Sequence, residues 1–292
     1  MLPRLAYVNG RYVPYRNAMV HCEDRGYQFA DAVYEVLGLY RGYPVDLEGH
    51  WARLFRSLRA IGIEAPFSAA TLSFIAREVV RRNRISTGTL YIQVSRGVAP
   101  RNHPFPDPDT PPGIVIVARP GLGPTADVAA RGVSLLTQPD LRWKRCDIKS
   151  TGLLANVLAK QAAREQGAYE ALLVDSEGMV TECSSSNVWI VDEAGAFITR
   201  PLGDAILPGV TRQVLAGLIR ENGQTVVERP FSLTEALAAR EVFVSSTGSF
   251  ALPVVSIDGR PVGDGKPGPM VADLRARYVR RLESLDGDRW GV

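Results

Sequence analysis

Apolar positions along this chain switch between a period of two and a period of 3.6, and Gly, Pro, Asn or Asp punctuates the switches. "LAYVNGRYVPY" alternates around Asn9-Gly10, which predicts a β-hairpin. "AVYEVLGLYRGYPVDL" predicts strand, turn at Arg41-Gly42, and strand. "LEGHWARLFRSLRAIGI" then puts Trp51, Leu54, Phe55, Leu58 and Ile61 on one helical stripe, leaving Arg53 and Arg56 on the polar side as solvated charge. "SAATLSFIAREVVRRN" predicts a second amphipathic helix capped by Ser68, and "TLYIQVSRG" and "PGIVIVARP" predict strands. The Pro/Gly-rich "RPGLGPTAD", residues 119–127, is the expected interdomain linker.

Beyond it, "GVSLLTQP" is a strand, and "TGLLANVLAKQAAREQG" is a helix stopped at Gly167. "YEALLVDSEGMVTE" is a hairpin around Ser176-Glu177-Gly178, and "NVWIVDEAGAFIT" is another. "GVTRQVLAGLIRENG" is a helix, "EVFVSSTGS" a strand entering a tight turn, "VVSIDGRPV" a hairpin and "PMVADLRARYVRRLESL" a final helix. Hairpins interrupted by helices predict an α+β protein with mixed, largely antiparallel sheets. The expected domains are 1–118 and 128–292, joined by the linker.

Composition narrows the class. A chain of 292 residues, 46% hydrophobic, can bury the core of one large domain or two medium ones. Charged residues are 22% with no low-complexity tract, so disorder is expected only in the C-terminal "DGDRWGV". A net charge of +3, not gathered into a basic block, argues against nucleic-acid binding. No apolar run is long enough to cross a membrane, and the N-terminus has no long apolar core like that of a signal peptide. Three cysteines, an odd count, and three scattered histidines have no metal-type spacing, which predicts no metal and a reducing, cytoplasmic setting.

Only four of the 34 basic residues are lysines: Lys144, Lys149, Lys160 and Lys266. Arginine replaces lysine wherever positive charge suffices, but guanidinium does not give up its proton and cannot attack a carbonyl. Lys149 lies in "RCDIKS" among Cys146, Ile148 and Leu153, where partly apolar company can turn an amine into a nucleophile. From position alone the plainer account, a solvated lysine near a helix start, is preferred. "TECSSSNVW" offers small donors and one carboxylate, Glu182, which needs a positive partner if buried; a polar loop is the plainer account. "ILPGVTRQVL" opens a helix with backbone NH groups and Thr211, suited to a phosphate, and "SSTGS" can add donors. "SRGVAPRNHPFP" is a proline-stiffened loop holding Arg101, able to bind a carboxylate in bidentate fashion, and His103.

Taken with "EDRGYQFADAVYEV", "HWARL", "LLANVLAKQ" and "FVSST", these stretches resemble the class IV aminotransferases, two-domain fold-type IV pyridoxal-phosphate enzymes, and among them the D-amino acid aminotransferases. The match runs in order from about residue 7 to residue 262. The resemblance implies that Lys149 forms the Schiff base with pyridoxal 5'-phosphate and shuttles the proton between substrate Cα and cofactor C4′. It implies that Glu182 pairs with the pyridinium nitrogen. Arg53, Val210, Thr211 and Thr247 match the phosphate cradle, Ser185 a serine near the substrate, and Leu207 a leucine packing the cofactor ring. Tyr34, Arg101 and His103 match the trap for the substrate α-carboxylate, the last two reaching in from a partner subunit, which implies a homodimer.

The chain departs from the family at Gly38, where a basic residue is common, and at Gly248-Ser249-Phe250, where Thr-Ser-Glu is expected. Glycine and phenylalanine there are expected to make the pocket edge roomier and greasier. The implied activity is transfer of the amino group between D-amino acids such as D-alanine and 2-oxo acids such as pyruvate or 2-oxoglutarate. The alternatives are an (R)-selective amine or branched-chain aminotransferase, an aminodeoxychorismate-type lyase, and a binding scaffold without catalysis. Arg101-x-His103 argues against the branched-chain form.

Overall fold

The Asn9-Gly10 turn folds as its sequence predicts. Both residues take positive φ, 44° and 90°, as a tight hairpin turn requires, and join β1 (Leu5–Val8) to β2 (Arg11–Pro14). A computed structural model of the chain describes residues 4–291. Its contacts divide into two units. The first holds the chain through Leu122, Ile148–Gly152 and the segment from Leu285 onward; the second holds Gly123–Asp147 and Leu153–Ser284.

In the first unit a 3-10 turn (Tyr15–Asn17) precedes α1 (Arg25–Phe29), where Asp24 accepts from Gly26 N. Then come β3 (Ala32–Tyr40), β4 (Tyr43–Val45), α2 (Leu47–Ala60), α3 (Ala69–Asn83), β5 (Gly88–Ser95) and β6 (Gly113–Pro120). The six strands form one antiparallel sheet in the order β2-β1-β6-β5-β3-β4. Ser68 caps α3 by accepting from Thr71 N. The stripe on α2 buries Trp51, Leu54 and Leu58 with Leu72, Val79 and Val80 of α3 and with Leu37, Leu90 and Ile92 of the sheet. Phe55 and Ile61 pack at its margin.

Three sequence expectations change here. Residues 148–152, expected in the second domain, belong to the first unit because β3 has a free edge. β4 pairs only with Gly38–Tyr40, so at the other end of that edge Tyr34 N donates to the Lys149 carbonyl and Thr151 N to the Ala32 carbonyl, both at 3.0 Å. The "DGDRWGV" tail is not loose: Trp290 is buried in the first core and its N–H donates to the Gly42 carbonyl at 2.7 Å; Val292 lies outside the described residues. The 119–127 linker shrinks, since β6 runs to Pro120 and the next helix begins at Ala126, capped by Thr125.

The second unit contains α4 (Ala126–Arg131), β7 (Val133–Pro139), α5 (Leu154–Glu165), β8 (Glu170–Val174), β9 (Val180–Cys183), β10 (Asn187–Val191), β11 (Phe197–Thr199) and α6 (Val210–Glu221). It continues with β12 (Val226–Glu228), α7 (Leu233–Ala238), β13 (Glu241–Ser246), β14 (Phe250–Ile257), β15 (Arg260–Pro261) and α8 (Pro269–Glu283). The sheet is mixed, ordered β12-β11-β10-β13-β14-β7-β8-β9, with β15 on β14. Pairs β11·β12, β14·β7 and β7·β8 are parallel and the rest antiparallel. β10 is buried at every position, as a strand covered on both faces must be, and is accordingly almost wholly apolar.

Candidate active site

In the first unit β3 and α2 build a buried charge network around Glu35. A strand residue of the inward set meets two residues one helical turn apart on α2. Arg53 donates to Glu35 from Nε at 2.7 Å and from Nη2 at 2.8 Å, and His50 Nδ1 lies 2.8 Å from Oε2. Glu35 is fully buried. Burial pushes its carboxyl up, but Arg53 and His50 outweigh burial and hold it at about 2. Arg53 is therefore no solvated charge, as its place on the polar side of the helix suggested; Glu35 draws it inward.

Lys149 sits on the same strand edge. Its N–H donates to Ser57 Oγ at 3.3 Å, and its Nζ lies 4.2 Å from the centroid of the Tyr34 ring. Tyr34 in turn stands 5.7 Å from the Tyr91 ring. Burial, with Tyr34 second, pushes the Tyr91 phenol up to about 12. The other lysines differ: Lys144 is exposed, and Lys160 donates to the Tyr169 carbonyl at 2.7 Å.

Arg101 and His103 gather around Phe29. The Arg101 guanidinium is 5.0 Å from the centroid of that ring and the His103 ring 5.5 Å from it. Both side chains are exposed, whereas Arg25, one turn before Phe29 on α1, is buried and 4.8 Å from the same ring. Tyr34 is thus brought to Lys149, while Arg101 and His103 are brought to each other.

In the second unit Glu182, at the end of β9, is buried and receives four bonds. Arg142 Nη1 donates to Oε1, Asn187 Nδ2 to Oε2 at 3.0 Å, and Leu207 N to Oε1 and Oε2 at 3.3 and 3.2 Å. Arg142 also forks onto Asp140 at 2.8 and 2.7 Å, and Thr181 Oγ1 donates to Asp140 at 2.6 Å. Burial raises the Asp140 carboxyl, but Arg142 and Thr181 outweigh it and lower it overall. At Glu182 burial wins over Arg142 and the carboxyl rises to about 7. Two carboxyls share one guanidinium, so the cluster is one positive charge short of balance. A protonated pyridine nitrogen against Glu182 would supply that charge.

Ser185 has another partner. Glu170, buried on β8, accepts from Ser184 Oγ at 3.1 Å, Ser185 N at 2.6 Å, Ser185 Oγ, and Ser186 Oγ at 2.8 Å. The three serines thus pin the turn between β9 and β10, which carry Glu182 and Asn187. Leu207 presents its backbone to this cluster, its carbonyl accepting from Asn187 Nδ2 at 2.9 Å. Just beyond it α6 begins at Val210 with Gly209 as an N-cap that offers no side-chain acceptor. Its first-turn N–H groups and the buried Thr211 therefore suit an anion such as a phosphate.

Thr247 lies in the β13–β14 turn, half-buried, with the Ser246 and Ser249 hydroxyls 2.8 Å apart beside it. Phe250 does not grease a pocket edge. It takes φ +60° as the first residue after the turn, and its ring packs 5.2 Å from Tyr278 and against Gly123. Gly248 is exposed and Gly38 is a paired residue inside β3.

Glu35, His50, Arg142, Asn187 and Glu170 were not singled out in the sequence. The spacing of His50 and Arg53, three apart on a helix that follows a strand with one acidic residue, was the available signal. Nothing local marks Glu170 or Arg142. Among the described residues no group of three or more His, Cys, Asp and Glu could hold a metal ion, and no helix is long and apolar enough to cross a membrane.

Residues 32–257 match the family model "Amino-transferase class IV", and the chain belongs to that family of aminotransferases. Relatives agree across nearly the whole chain. A D-alanine aminotransferase of Listeria innocua is 43% identical over 282 residues, covering 96% of this chain and 97% of the relative. One of Bacillus licheniformis is 42% identical over 276 residues, covering 94% and 96%. One of Staphylococcus haemolyticus is 40% identical over 278 residues, covering 95% and 98%. Among solved structures, a branched-chain amino acid aminotransferase of Escherichia coli superposes with a TM-score of 0.89 at 24% identity, over 99% of this chain and 98% of that one, which speaks for the fold. The branched-chain amino acid aminotransferase of Thermobaculum terrenum, in its PLP-bound holo form, gives 0.83 at 26%, over 97% and 95%. The fold is that of the fold-type IV enzymes.

Proposed function

We propose that this aminotransferase exchanges the amino group between D-amino acids, D-alanine among them, and 2-oxo acids such as pyruvate and 2-oxoglutarate, with pyridoxal 5'-phosphate as cofactor. One observation carries the substrate class. Relatives named D-alanine aminotransferase match the chain almost end to end at 40–43% identity, while the branched-chain structures stand at 24–28%. The branched-chain alternative fits less well.

When bound, the cofactor supplies an aldehyde for an amine to condense with and a ring that accepts the electrons left when the substrate Cα–H bond breaks. Lys149 provides the amine. Its Nζ stands over the Tyr34 ring, next to the buried Ile148. With the cofactor bound, Lys149 would be the base that moves the proton from substrate Cα to the cofactor. Glu182 holds the proton on the ring nitrogen, and the missing positive charge in its cluster supports that role. On the second unit Val210, Thr211 and Thr247 take the phosphate, Leu207 packs the ring, and Ser185 stands on the substrate side. On the first unit Arg53, held in place by Glu35, belongs to the phosphate cradle. Tyr34, Arg101 and His103 take the substrate α-carboxylate.

The enzyme works as a homodimer in the cytoplasm. Leu154, Val157 and Leu158 are exposed at 71, 58 and 62% along one stripe of α5, a face that a second copy can cover, and the three cysteines are free. The test is a panel of D-amino acids, L-amino acids and (R)-amines against pyruvate and 2-oxoglutarate. Borohydride reduction followed by peptide mapping should place the pyridoxyl group on Lys149. Label on Lys144 or Lys160, or preference for L-leucine over D-alanine, overturns the reading.

A further inference from the structure

The loop between β5 and β6 projects Arg101 and His103 from an exposed stretch, Pro100 to Phe105, closed by the half-buried Pro106. Proline fixes φ at its own positions but does not fix where the loop lies. Two main-chain carbonyls at its tip do have a buried partner. Arg25 donates from Nη1 to the Asn102 carbonyl at 2.6 Å and from Nη2 to the His103 carbonyl at 3.3 Å. Its Nε donates to Asp31 Oδ2 at 2.8 Å.

Asp31 is shared. Arg96 donates to it from Nε at 2.7 Å and from Nη2 at 2.9 Å, and also to the carbonyls of Ile61 and Gly62 at 2.7 and 2.9 Å. The Arg96 guanidinium covers the Phe105 ring at 3.6 Å, farther along the same loop. One carboxylate therefore anchors two guanidiniums, and these hold the loop at Asn102, His103 and Phe105.

We infer that Arg25, anchored by Asp31 and Arg96, is a positioning residue for substrate carboxylate recognition: it fixes the Asn102–His103 main chain so that Arg101 and His103 form one preorganised anion clamp over Phe29. The inference rests on the reading of Arg101 and His103 as that clamp. It needs the geometry of arginine, because three acceptors lie around one planar fork, which an ammonium cannot match. Preorganisation appears in binding, since an unfixed loop must be ordered each time substrate enters.

The test compares Arg25→Lys, Arg101→Ala and the double variant as holoenzymes, using KM and kcat for D-alanine and the dissociation constant of propionate, a carboxylate without the amine. Arg25→Lys should raise the D-alanine KM and weaken propionate on the order of tenfold, with kcat falling far less. The double variant should be little worse than Arg101→Ala, because both act through one clamp. Phe29→Leu, which leaves the buried charges paired, should raise KM in the same direction and serves if Arg25→Lys does not fold. If Arg101→Ala raises KM while Arg25→Lys and Phe29→Leu do not, the positioning role is overturned and the clamp stands. If Arg101→Ala leaves KM and propionate binding unchanged, the clamp falls and the inference with it. Fully additive losses, or equal losses in kcat and in binding, would make Arg25 a support of the fold alone.

Discussion

The side-chain amide of Asn187 donates to Glu182 Oε2 at 3.0 Å across the turn that the two residues flank. The same nitrogen reaches the Leu207 carbonyl, and the amide oxygen faces Gly209, where an added Cβ would sit 2.1 Å from it. One amide thus joins the Glu182 carboxylate to the segment that opens α6.

Gly209→Ala should therefore displace Asn187 and loosen cofactor binding. Losing a hydrogen bond to a charged group costs about 1.5–3 kcal/mol, which is roughly ten- to a hundredfold in affinity. Asn187→Ala should cost a comparable amount. Combining them should cost less than the sum, since the shorter side chain removes the collision. Titration of the apoenzyme with pyridoxal 5'-phosphate, followed by quenching of tryptophan fluorescence, measures all three.

Glu182→Gln should keep the cofactor bound and slow the half-reaction with D-alanine. The amide preserves shape but cannot stabilise a proton on the ring nitrogen. Stopped-flow absorbance at the cofactor bands reads this directly. Rates equal to wild type would assign the ring proton to another group.

Lys149→Ala should abolish turnover, and Lys149→Arg should not restore it although the charge returns. Ordinary coupled assay of pyruvate formation from D-alanine suffices. Measurable activity in Lys149→Arg would remove the amine from the mechanism.

Glu35 sets a pH dependence of stability. Its carboxyl is held at about 2 in the fold against an unperturbed value of 4.5. A lowered folded value means the contribution is fully present above about pH 4.5 and is lost as pH falls toward 2. Glu35→Gln should flatten the stability profile over that window. At neutral pH it should also cost about 3–5 kcal/mol, because Arg53 loses its buried counter-charge. Urea unfolding at several pH values between 3 and 7 checks both.

Local pattern made most of the fold legible. The Asn9-Gly10 hairpin, the Ser68 cap and the Gly167 stop each depend on residues adjacent in sequence, and each forms as predicted. α7 was missed although Ser232 and Glu235 make a reciprocal capping box, because its six residues are too few to show a period. The site residues were legible mainly through family resemblance. Their supports were not: Arg25 meets Asn102, Asp140 meets Thr181, and Glu170 meets Ser186 only after distant segments pair. Phe250 shows the opposite error. A large apolar residue beside a site motif suggested a pocket wall, but the αL turn geometry directs its ring toward Tyr278 instead.

The burial of Trp290 has a consequence for biosynthesis. Its ring shares a core with Leu37, Leu54 and Leu90, and its main chain hydrogen-bonds to Gly42, far earlier in the chain. A ribosome therefore releases every residue of the second unit before it delivers the side chain that completes the first. Until then the nascent N-terminal sheet carries an open apolar gap, and its maturation cannot finish in simple N-to-C order. Fusions placed after Trp290 should compete with that closure in a way that fusions before Leu5 do not.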